Sequence, residues 1–126
     1  DSGYGECWLK LYDIGKLVAD ALCHFDGERY NLHAWVVMPN HVHAVLTPKS
    51  PHTLSSILHS WKSFTAKEAN SLLGRKGCKF WQRESYDHLV RDEDDFFLAC
   101  NYTVNNPVKA GLCQKTEEWL LSSAYK

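Results

Sequence analysis

No stretch of this 126-residue sequence approaches the roughly 20 consecutive apolar residues that a membrane helix requires. Nor does any stretch resemble a secretory leader. The five cysteines (Cys7, Cys23, Cys78, Cys100 and Cys113) are odd in number and contain no CxxC pair. That argues against a disulfide framework and against a cysteine-rich zinc site. Together these absences point to a reduced, cytoplasmic protein. Repeats, low-complexity segments and linkers are missing too, so residues 1–126 read as one domain. A chain of this size buries roughly two-thirds of its surface on folding, enough for a real core. The net charge is only −1, which by itself does not suggest a nucleic-acid partner.

The distribution of charge says more than its sum. Residues 59–91 carry seven Lys or Arg against three acids, a local excess of +4, while the remainder carries −5. A basic segment inside a neutral protein can form a phosphate-binding face, and it can equally be a solvated loop. Lys62, Lys67, Arg75, Lys76 and Arg83 are its candidate DNA contacts. Trp61, Trp81 and Tyr86 are candidates for stacking unpaired bases. Trp61 also fits the apolar stripe of a helix, so the core is its more natural place.

The hydrophobic pattern gives the elements. After Asp13, which reads as an N-cap, Ile14, Leu17, Val18, Ala21, Leu22 and Phe25 recur with helical spacing. Residues 30–38 read as a strand, Met38-Pro39-Asn40 as a turn, and residues 41–47 as the antiparallel partner. Thr53 can cap a second helix with Leu54, Ile57, Leu58, Trp61, Phe64 and Leu72 on its apolar side. Phe80-Trp81 and residues 86–90 read as short extended pieces. Asp92 starts a third helix, which Pro107 should end at Asn106. The whole is an α+β fold, an antiparallel sheet with helices packed on one face.

His41-Val42-His43 is the most informative motif. Side chains alternate along a strand, so His41 and His43 project side by side while Val42 faces away with Ala44 and Leu46. Two imidazoles on a rigid strand can share one divalent metal and leave positions open for substrate. Alone, such a pair is more often a half-buried structural feature. Tyr102 and Asn106, four residues apart near a helix end, share a face. Taken separately, a tyrosine there suggests packing and an asparagine before proline suggests a cap.

In context the motif resembles something more specific. The run from Ala34 through Trp35-Val36-Val37-Met38-Pro39-Asn40 to His43 is similar to the histidine motif of single-tyrosine HUH transposases, and closest to the REP-associated tyrosine transposases. Ser60-Trp61-Lys62-Ser63-Phe64-Thr65-Ala66, the block from Phe80 to His88, and the block from Tyr102 to Leu112 agree, in the family's order. The resemblance spans about residues 8–113. It implies a ferredoxin-like HUH domain that cleaves and rejoins single-stranded or hairpin DNA through a covalent phosphotyrosine. His41 and His43 match the metal-binding pair, Tyr102 the nucleophile, and Asn106 the third ligand. Two imidazoles with an amide oxygen and open positions suit Mg²⁺ or Mn²⁺, without excluding zinc. Tyr86, beside Asp87 and His88, is the rival nucleophile.

The family usually begins with a strand before the first helix. Asp1 to Trp8 is short and rich in glycine, so that strand is expected to be missing. The bare sheet edge would then be covered by residues outside this sequence or by a second copy, as a homodimer. Two other functions fit the same residues. One is a catalytically silent DNA-hairpin binder, and the other is a small zinc hydrolase that ignores Tyr102.

Overall fold

Met38-Pro39-Asn40 does turn the chain, and the hairpin around it is the centre of the molecule. The computed structural model describes the backbone of residues 8–81, 88–89 and 93–126, and the side chains of residues 8–81 and 96–126. Strand β1 (Tyr30–Val37) pairs antiparallel with β2 (Val42–Pro48), from Tyr30 opposite Pro48 to Val37 opposite Val42. The Met38 N–H donates to the His41 carbonyl at 2.8 Å and closes the turn. A bulge between Leu32 and Ala34 lets His33 swing out, where its Nε2 meets Thr47 Oγ1 at 2.9 Å. A two-residue strand, β3 (His88–Leu89), pairs parallel with β2, giving the order β1-β2-β3.

Helices α1 (Tyr12–His24) and α2 (Leu54–Leu73) pack on one face of this sheet. Val37, Val42, Ala44 and Leu46 meet Ile14, Val18 and Leu22 of α1 and Ile57 and Trp61 of α2 in the core. This is the expected face of helices. Helix α3 (Glu93–Lys109) adds a layer on the opposite face, against β1 and β2. There the Phe96 ring stands edge-on to His33 at 4.8 Å.

Several boundaries differ from the sequence expectation, each for a physical reason. Helix α1 starts at Tyr12, with Leu11 rather than Asp13 at the N-cap. A turn of 3-10 helix (Trp8–Lys10) runs straight into it, so the Leu11 carbonyl already takes the N–H groups of Ile14 and Gly15. Asp13 sits inside the first turn, where the helix dipole still favours an acid. Thr53 caps α2 as expected and forms a capping box with Ser56. The buried stripe of α2 continues through Thr65 and Ala69, while Phe64 and Leu72 are exposed. The contact follows a row advancing by four residues.

Trp61 lies in the core, and its indole N–H donates to the Tyr30 hydroxyl at 3.0 Å. That hydroxyl donates in turn to the Leu22 carbonyl. Trp81 donates to Thr65 Oγ1 at 2.8 Å. Trp61 is therefore a structural ring and not a surface for bases.

Helix α3 does not stop at Asn106. It runs through Pro107 to Lys109. Proline cannot donate to the carbonyl four residues earlier and crowds it. Two side-chain amides support the carbonyls just upstream: Asn105 Nδ2 donates to the Asn101 oxygen at 2.8 Å and Asn106 Nδ2 to the Tyr102 oxygen at 3.3 Å.

The expectation of a missing first strand falls on residues 1–7, which lie outside the described residues. The chain's own residues 119–123 take the edge of β1. Val36 bridges antiparallel to Ser122, the Val37 N–H donates to the Leu121 carbonyl at 2.8 Å, and the Ser123 N–H to the Trp35 carbonyl at 2.9 Å. Ser123 Oγ accepts from the Trp35 N–H at 3.0 Å, and the Trp119 indole donates to the Val37 carbonyl at 3.0 Å. Gly15 makes room for this strap. A Cβ there would stand 2.6 Å from Leu121 Cδ1 and 2.8 Å from the Leu9 carbonyl oxygen. The strap was hard to foresee because Trp119-Leu120-Leu121 lacks the alternation of a strand.

Candidate active site

His43 on β2 and His41 just before it project from the face opposite the aliphatic core, as strand alternation requires. Their rings meet edge to face at 4.7 Å, and both are buried. The Tyr102 ring of α3 stands edge-on to His43 at 5.9 Å. Tyr102 is half exposed, so its ring is reached from solvent while the histidines lie beneath. The three rings singled out in the sequence are thus brought together by the fold.

Burial is the main cause that lowers the His41 pKa from 6.5 to about 4. At neutral pH this imidazole is uncharged and keeps a lone pair. His41 Nδ1 lies 2.7 Å from Asn40 Oδ1. An amide oxygen only accepts, so this contact assigns the proton to Nδ1 and leaves the lone pair on Nε2. A ring held in one tautomer by an oxygen behind it is the ordinary condition of a metal-binding histidine.

Asn106 lies one turn beyond Tyr102 on α3, on the same side of the helix. Its Nδ2 is committed to the Tyr102 carbonyl, which leaves Oδ1 as the atom with capacity to accept. Among the described residues no cluster of three His, Cys, Asp or Glu side chains forms a metal site. Two imidazoles side by side, with an amide oxygen one helical turn from Tyr102, fit a divalent ion bound with open positions. They do not fit a closed structural zinc site, which would fill all four positions from the protein.

Two neighbours are not apparent from the sequence motifs. Asn40 reads as a turn residue, although its place directly before His41 was the available signal. Lys109 ends α3, and its Nζ lies 5.6 Å from the centroid of the Tyr102 ring. Its spacing of seven residues from Tyr102, two helical turns, was the sign that could have found it.

The basic segment is less uniform than its charge suggested. Lys67 and Lys76 are exposed and border one depression between the end of α2 and the loop that follows. Lys62 is half-buried. Arg75 lies over the Trp8 ring at 4.9 Å and donates to the Lys79 carbonyl at 3.4 Å, so its guanidinium is turned onto the protein. Arg83, Tyr86 and Asp87, and the side chain of His88, lie outside the described residues.

A family model described as "Transposase IS200 like" matches residues 16–103, more than half of the chain, through the histidine pair to Tyr102. The chain belongs to the IS200-like transposase family. Among relatives of this chain is a REP-associated tyrosine transposase of Escherichia coli (strain K12), 29% identical over 98 residues, covering 77% of this chain and 56% of that protein. A second is a putative REP-associated tyrosine transposase of Haemophilus influenzae, 37% identical over 46 residues, covering 36% of this chain and 26% of that one. The chain thus spans about half the length, or less, of these relatives. The solved structure of a REP-associated tyrosine transposase bound to a REP hairpin shares the fold. It superposes with a TM-score of 0.70 at 23% identity, over 97% of this chain and 70% of that one. No helix among the described residues is long and apolar enough to cross a membrane.

Proposed function

We propose that this chain cleaves and rejoins single-stranded DNA beside a hairpin, through a covalent 5′-phosphotyrosine at Tyr102. One observation carries the reading: a half-exposed tyrosine stands against a pair of buried histidines, with their rings in series at 5.9 and 4.7 Å. The solved relative is bound to a REP hairpin, which supports the choice of substrate.

The Tyr102 oxygen attacks the scissile phosphorus and the bond to the 3′-oxygen breaks. The phenolic proton passes to solvent, and the departing strand leaves as a 3′-hydroxyl after taking up a proton. Because the phosphotyrosine is a diester like the bond it replaces, a 3′-hydroxyl can attack it and restore the strand without ATP. His41 and His43, with the Asn106 amide oxygen, would hold a divalent ion, Mg²⁺ or Mn²⁺. Bound there, it would neutralise the phosphate and make the phosphorus more electrophilic. Asn40 keeps His41 in the tautomer that such binding needs. Lys67 and Lys76 lie on the basic segment that would receive the DNA backbone.

The test is incubation with labelled REP-hairpin DNA bearing a single-stranded flank, with Mn²⁺, followed by denaturing electrophoresis. A denaturation-resistant adduct is expected with the native chain and none with Tyr102→Phe, which retains the ring and the fold. Hairpin binding without an adduct would instead identify a catalytically silent binder. Cleavage that survives Tyr102→Phe would point to a hydrolase.

A further inference from the structure

Lys109 is the last residue of α3 and lies on the same side of the helix as Tyr102. It is exposed, and its ammonium group lies 5.6 Å from the centroid of the Tyr102 ring. A lysine at a helix C-terminus is ordinary, since the dipole favours a cation there. Its direction is not explained by that. Among the described residues Lys109 joins no ion pair, and the ring it covers belongs to the one tyrosine that faces the histidine pair. An ammonium over the ring lies within a phosphate's reach of the phenol oxygen. It is exposed to solvent, whereas the imidazoles are buried.

We infer that Lys109 is a catalytic residue that holds the non-bridging oxygens of the scissile phosphate as Tyr102 attacks it. This rests on the reading of Tyr102 as nucleophile. The phosphate would then meet both the histidine pair and this ammonium beside the attacking oxygen. Lys109 transfers no proton and forms no bond; the bonds made and broken are those given above. Its contribution grows as negative charge accumulates on the phosphate, so it favours the transition state over the bound ground state. Flexibility of the stem does not defeat this role, because the aromatic face under the ammonium already restricts where it goes.

The experiment compares native protein with Lys109→Met and Lys109→Arg, in single-turnover adduct formation at saturating REP-hairpin DNA and Mn²⁺. Lys109→Met is expected to slow adduct formation about 10²-fold, the size of losing one preorganised charge donor, with DNA affinity changed less than about threefold. Lys109→Arg should recover most of the rate. The decisive arm replaces the scissile linkage by a neutral methylphosphonate. With that charge gone, native protein and Lys109→Met should react at the same rate. An equal rate on ordinary DNA, or a deficit that persists on the methylphosphonate, would overturn the assignment. A deficit confined to DNA affinity would also overturn it and make Lys109 a backbone-binding lysine. If native protein forms no adduct at all, the reading of Tyr102 falls and this proposal with it. An adduct with an unaffected Lys109→Met removes this proposal alone.

Discussion

The two faces of the β1–β2 hairpin are built from the same strands and solve different problems. Toward α1 and α2, Val37, Val42, Ala44 and Leu46 are sealed among aliphatic and aromatic side chains. Toward α3, the same strands present His41 and His43 to a helix that leaves Phe97, Leu98 and Tyr102 exposed. The first face holds the fold and needs only volume and apolarity. The second holds two buried imidazoles, one of them against Asn40, at a solvent-reachable seam, which costs stability.

The contrast is most easily broken from the packed side. Leu46→Ala should cost about 2–5 kcal/mol and lower the urea midpoint accordingly, because the residue is fully buried between sheet and helices. Tyr102→Phe on the opposite face should shift stability by less than about 0.5 kcal/mol. If the two substitutions destabilise equally, the faces do not divide the labour in this way.

Acid should weaken the chain through the histidine face. His41 stays neutral in the folded protein down to about pH 4, whereas the unfolded chain takes its proton near 6.5. Below pH 6.5 the unfolded state therefore binds more protons, and stability falls until pH 4 is passed. The loss in metal-free protein should be on the order of 3 kcal/mol. Comparing urea unfolding at pH 7.5 and pH 4 with that of His41→Gln checks it. The substitution should flatten the dependence, and an unchanged slope would place the titrating group elsewhere.

A third test addresses the strap. Gly15→Ala forces a methyl against Leu121 and the Leu9 carbonyl, so a destabilisation of about 1–3 kcal/mol is expected. Hydrogen exchange should speed up at Val37, whose N–H is held by Leu121. Unchanged exchange at Val37 would mean that the strap is not held by this contact.

The smallest effect concerns DNA. Replacing Lys67 and Lys76 together by Met should reduce the salt dependence of hairpin binding by a slope of about 1–2, the value for two phosphate contacts. Arg75→Met should leave that slope alone, because Arg75 packs on Trp8. The reverse result would show that Arg75 leaves Trp8 to meet the backbone.

Much of the histidine face was legible because its signals are local. Alternation alone placed His41 beside His43 and opposite Val42, and Thr53 marked the start of α2 through its capping chemistry. Tyr102 could be brought to the histidines only through resemblance, since no local rule says which sheet face a later helix covers. Pro107 misled because its penalty is real, but Asn105 and Asn106 bond the neighbouring carbonyls and the helix continues. The strap was invisible because its partners on β1 lie far away in sequence and its residues carry no period. Lys109 was missed because a lysine at a helix end has a sufficient ordinary explanation.

That strap has a consequence for the order in which the molecule is assembled. Trp35 and Ser123 are 88 residues apart, whereas the β1–β2 turn closes over a few. Local pairing forms early and distant pairing late, so the histidine hairpin is among the first parts able to form. Its outer edge waits for residues 119–123, which follow Pro48 by roughly 4–15 s at ordinary rates of synthesis. Through that interval the backbone groups of residues 35–37 remain a template for any passing strand. The hairpin that carries His43 is thus paired early along one edge and late along the other.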